Sequence, residues 1–173
     1  QALLERQEQS GRNTLPIRRQ LAESLIQANE LEQARDQYEA LLEAEPQNAE
    51  YHLRLSQIHR ERRRYNDSWE SLRRAQKLAP DSIEIKYNTV MLLEAERRFD
   101  EAVEALEAIL TETEQSSYEG RERATRTMFL EHIGSLHRDR EDFESAIETY
   151  GRIAELNPEA ASRVRALVIE AHR

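Results

Sequence analysis

LEQARDQYEALLEAEPQ at residues 31–47 and YNDSWESLRRAQKLAPD at residues 65–81 decide how this chain is read. They stand 34 residues apart and agree place for place: Leu31 with Tyr65, Ala34 with Ser68, Tyr38 with Leu72, Pro46 with Pro80. A third copy, FDEAVEALEAILTETEQ, follows at residues 99–115, and a fourth, FESAIETYGRIAELNPE, at residues 143–159 after a longer step of 44. Self-similarity at one period is the signature of stacked supersecondary units rather than of a single layered core. Each copy opens on Leu or an aromatic residue (Leu31, Tyr65, Phe99, Phe143) and places a small residue three positions later (Ala34, Ser68, Ala102, Ala146).

Working outward, each copy is the second helix of a pair. The helix before it carries a large residue beside a small one: Leu21-Ala22, Leu55-Ser56 and Ile133-Gly134. Small side chains on both partners let two helices cross closely, and a larger group at the crossing would force them apart. Pro46, Pro80 and Pro158 close the second helices, because the ring removes an amide donor and clashes with the preceding turn. Asn48 and the pair Asp81-Ser82 then start the next helix as N-caps, with Glu84 at capping-box distance from Asp81.

This pattern resembles the tetratricopeptide repeat. The resemblance implies an all-α fold: a right-handed α-solenoid of antiparallel helix pairs, about four units plus flanking helices. The units are expected at 15–48, 49–82, 83–116 and 127–160, an array spanning 15–160 with an insertion at about 113–126. Residues 1–12 are expected to end a preceding repeat helix. Residues 160–173 repeat a first-helix pattern through Val164, Leu167 and Val168, and cap the array or begin a fifth unit. Three departures stand out. The third unit has Thr89-Val90 in place of a large-small pair, and Glu114 in place of the closing proline. The glycine usual between paired helices is replaced by Asn29, Arg63, Arg97 and Glu141.

Composition agrees. Charged residues make up 34% of 173 and apolar residues 38%, a balance suited to thin helical layers, and only four Gly and four Pro interrupt them. The net charge of −9 opposes a phosphate backbone, so no nucleic acid is expected as partner. With no cysteine, disulfides and thiolate metal sites are excluded. No membrane span is visible. The chain starts at Gln1, as a piece of a longer protein would, and its compartment, cytoplasmic or bacterial periplasmic and envelope, stays open. Arg far outnumbers Lys, which points to a bacterium with a GC-rich genome.

The function the resemblance implies is a protein-protein interaction scaffold that holds a peptide or partner protein along its first helices. The residues expected on that wall are Arg19, Leu53, Arg54, Tyr87, Asn88 and Met91: two guanidiniums for a carboxylate, three apolar groups, and an amide for a peptide backbone. The subclass that grips acidic chaperone tails is excluded, because Glu23 and Glu84 stand where its pattern needs Asn and Lys. The alternative is a structural or self-assembly module, a homo-oligomer stacking through Leu3, Leu4, Val164, Leu167 and Val168 on its terminal helices. The Arg60–Arg64 run reads as a solvated edge paired with surrounding Glu. His59 and His137 occupy the repeat place of Leu25 and Leu93, as packed core rather than ligands. No catalytic residue, cofactor or metal is expected, since no zinc signature or phosphate loop is present.

Overall fold

The computed structural model describes residues 14–171, apart from the side chains of 160–162, 165, 170 and 171. The helix end expected at residues 1–12 lies outside the described residues, as do Leu3 and Leu4. Within them the chain is all-α: α1 Leu15–Gln27, α2 Leu31–Ala44, α3 Ala49–Glu61, α4 Tyr65–Leu78, α5 Ile83–Ala95, α6 Phe99–Glu112, α7 Gly120–Asp139, α8 Phe143–Leu156 and α9 Ala161–Ala171, with a 3₁₀ turn at Pro158–Ala160. The helices divide into two compact units, one ending at Glu96 and one beginning at Arg97.

The four small residues that define the repeat, Ala34, Ser68, Ala102 and Ala146, are fully buried, as is Ala22. In the first unit one cluster joins Ala22, Ala34, Tyr38, Leu41, Tyr51, Leu55 and Ile58. A second joins Leu53, Leu72, Ala75, Ile85 and Leu92. Helix α3 contributes to both, and so is buried on two sides. At its crossing with α4 the small residues are polar: Ser68 Oγ donates to the Ser56 carbonyl at 2.8 Å, and the two hydroxyls lie 3.0 Å apart. In the second unit the crossing of α7 and α8 sets Gly134 against the ring of Tyr150, which is 1% exposed. Arg152 of α8 is paired with Glu107 of α6, and Arg140 with Asp100 at 2.6 Å.

The turns inside the pairs solve the missing-glycine problem. Asn29, Arg63, Arg97 and Glu141 have φ of 59°, 57°, 61° and 62°, the left-handed region that glycine adopts without strain. At α1 the Asn29 amide donates to the Ile26 carbonyl and Glu30 to Leu25, the paired bonds of a Schellman C-cap. Arg63 and Arg64 repeat the arrangement on Arg60 and His59, and Glu141 and Asp142 on Arg138 and His137. The repeat register thus imposes a glycine conformation on residues that are not glycine.

Helix starts agree in part. Asn48 caps α3, its side-chain oxygen accepting from Glu50 and Tyr51 amides. The cap of α5 is Ser82, accepting from the Ile85 amide, not Asp81, so the Asp81–Glu84 capping box does not form. Asp142 caps α8. Without a proline, α6 runs to Glu112, and seven residues, 113–119, lead to a lengthened α7.

Candidate partner-binding face

The first helices of the first unit, α1, α3 and α5, carry the expected site residues. Arg19 on α1 is exposed, its Nε 3.9 Å from Glu23. Arg54 on α3 is half-buried; its guanidinium donates to Gln57 Oε1 at 2.9 Å and stands 3.8 Å from Glu84 of α5. Gln57 in turn donates to Asn88 Oδ1 at 3.0 Å, and Asn88 Nδ2 donates to the Glu84 carbonyl at 2.8 Å. A hydrogen-bonded run therefore crosses from α3 to α5 and fixes where the Arg54 guanidinium lies. Tyr87 and Met91 on α5 are half-buried, and burial holds the Tyr87 phenol above its ordinary pKa.

Two of the expected residues are placed differently. Leu53 is 2% exposed and belongs to the α3–α4–α5 core, so it presents nothing to a ligand. A helix inside a stack meets neighbours on both flanks, and the residue that would face a groove on a terminal helix becomes filler on an internal one. Asn88, 8% exposed, spends its amide oxygen and nitrogen on Gln57 and the Glu84 carbonyl. It positions neighbours instead of offering its amide outward.

The histidines are also not core in the sense expected. His59 is half-buried, and burial first, against the opposing pull of Asp67, holds its imidazole below its ordinary pKa. With His52 and Leu55 it floors a cleft of about 570 Å³ between α2 and α4, walled by Glu39 and Asp67 among others. His52, buried and 3.1 Å from the Pro46 carbonyl through Nε2, was not singled out by sequence. Its repeat place holds Arg18, Lys86 and the buried Leu130 elsewhere, so the period gives no sign of a cleft there. Three of the four arginines in the run are paired, Arg60 with Glu61 at 3.1 Å and Arg62 and Arg64 with Glu32, which Arg35 also meets. Among the described residues no group of three or more His, Asp or Glu is placed to hold a metal, and no helix is long and apolar enough to cross a membrane.

Models of the tetratricopeptide repeat match residues 19–83, 64–117 and 129–159. Solved structures with the same fold include PilF of Pseudomonas aeruginosa, at 20% identity and a TM-score of 0.69 over 91% of this chain and 67% of that one. MamA of Desulfovibrio magneticus matches at 14% identity and 0.66 over 93% and 96%. PilW, described as a widely conserved type IV pilus biogenesis factor, matches at 20% and 0.65 over 90% and 70%. No curated protein matches by sequence. At these identities the likeness is one of fold.

Proposed function

Because the chain belongs to the tetratricopeptide-repeat family, we propose that it is a scaffold without chemistry of its own that holds a peptide or partner protein on the α1–α3–α5 face. The observation that carries this reading is the Arg54–Gln57–Asn88 run. Ordering a long cationic side chain on binding costs affinity, and a guanidinium already held by its neighbours avoids much of that loss. Arg54 would take a carboxylate of the ligand, Arg19 would steer it, and the exposed parts of Tyr87 and Met91 would supply apolar contact. Asn88 belongs to the site as the residue that positions Gln57.

The test is selection from a displayed random-peptide library, run in parallel on the wild type and on the Arg54→Gln/Tyr87→Ala double variant. Melting is measured on both. Peptides enriched by the wild type and lost by an equally stable variant support the face. The same peptides on both proteins would remove it.

Self-assembly through α9 is the second reading, and Ile169, 56% exposed, together with half-buried Leu167 and Val168, supports it. Light scattering across a concentration series separates the two, since binding on the first-helix face needs only a monomer.

A further inference from the structure

Helix α7 is 20 residues long, and its first two turns are poorly made as a helix. They begin on Gly120 at φ +48°, after Glu119, which makes no side-chain capping bond. Arg121, Arg123 and Arg126 crowd the end where the helix dipole disfavours cations, against a single acidic residue, Glu122, in the first turn. None of residues 120–128 is buried, so core packing does not compensate.

What holds this segment is the insertion before it. Arg123 donates through Nε and an Nη to the Tyr118 carbonyl, at 3.0 and 2.7 Å. The Arg126 guanidinium lies 4.6 Å from the centre of the Tyr118 ring and donates to the Leu110 carbonyl, in the last turn of α6, at 2.7 Å. The Tyr118 hydroxyl accepts from the Gln115 amide at 2.7 Å and closes the loop on itself. The same arginines that weaken the helix end are the ones that clasp the tyrosine.

We propose that Tyr118, Arg123 and Arg126 form a latch, and that the first two turns of α7 fold and unfold with it as a unit separate from the rest of the helix. Closed, the latch ties the end of α6 to α7 through seven residues, 113–119. Open, it lengthens that connection to residues 113–127 and frees both guanidiniums. The rest of the helix, anchored in the second unit by buried Phe129, Leu130, Ile133 and Leu136, does not take part.

Hydrogen exchange read by mass spectrometry on the whole chain tests this. In the wild type, amides 121–127 should exchange slower than an unstructured chain but faster than those of 129–139. Tyr118→Ala, which removes ring and hydroxyl, and Arg126→Gln, which removes the stacking and the bond to α6, should each speed exchange at 121–127 at least tenfold. Exchange at 129–139 should not change, and Tyr118→Phe, which keeps the ring, should fall between. Unchanged exchange at 121–127 in both variants would overturn the latch. So would an equal loss across 129–139, which would make α7 one cooperative helix.

Discussion

Two glycines in helices of the second unit should respond to the same substitution with opposite signs. A Cβ built on Gly134 would lie 2.2 Å from Tyr150 Cε1 and 2.8 Å from Cδ1 and Cζ. Carbon atoms are at rest about 3.5 Å apart, so the ring edge would have to retreat about 1.3 Å. Tyr150 is 1% exposed, and a displacement of that size must be passed to its neighbours. Overpacking of this kind costs about 1–3 kcal/mol, and replacing a mid-helix glycine by alanine returns roughly 1 kcal/mol. A contact this short belongs at the upper end of the steric range, which leaves Gly134→Ala destabilised by about 1–2 kcal/mol.

Gly151, exposed on α8, has nothing within 4 Å of its Cβ position, so Gly151→Ala keeps only the gain, roughly 1 kcal/mol. The two alanine variants should differ by about 2–3 kcal/mol, or roughly 4–12 °C in melting temperature for a chain of this size. Urea unfolding followed by circular dichroism is the better assay, because a repeat array can lose cooperativity and blur a single melting point. Tyr150→Leu supplies a second arm, since Leu72 and Leu106 occupy its place in other repeats. Combined with Gly134→Ala, it should cost less than the sum of the single changes by about 1 kcal/mol or more. A Gly134→Ala protein as stable as wild type, or one matching Gly151→Ala, would refute the claim that this crossing is set by the glycine.

Three further outcomes are expected. Arg63→Gly should raise stability by about 1 kcal/mol by relieving a left-handed backbone, and Asn29→Gly should gain less, because Asn tolerates that region; urea midpoints check both. Ser68→Ala should cost about 1–3 kcal/mol by stranding the buried Ser56 hydroxyl, while Ser56→Ala/Ser68→Ala, which recreates the Ala22/Ala34 crossing of the first pair, should recover most of it; a double variant as weak as the single would contradict this. Burial lowers the folded-state pKa of His59, so its neutral form favours folding above the ordinary value of about 6.5 and that stability drains away as pH falls below it. His59→Leu, the residue of the same place at 25 and 93, should flatten this part of the stability–pH curve between pH 7 and 5.

What sequence could and could not convey follows from which contacts repeat. The crossing inside each pair recurs with the period, so Ala34, Ser68, Ala102 and Ala146 could be named from spacing alone, and all four are fully buried. The turn residues were also located by register. Their conformation was not readable from their chemistry, because arginine and glutamate carry no sign of a positive φ that the Schellman bonds impose on them. Packing between successive pairs does not recur in the same way. Arg19, Leu53 and Tyr87 share one repeat place, yet the first is exposed, the second buried and the third half-buried. Gln20, Arg54 and Asn88 share the next place and differ as widely. Burial there depends on what the adjacent helix supplies: Leu53 is covered because Leu72 and Ile85 stand beside it, and Asn88 is spent because Gln57 reaches it. A partner face in such an array is therefore built from differences between repeats, so it has to be found residue by residue where the period fails.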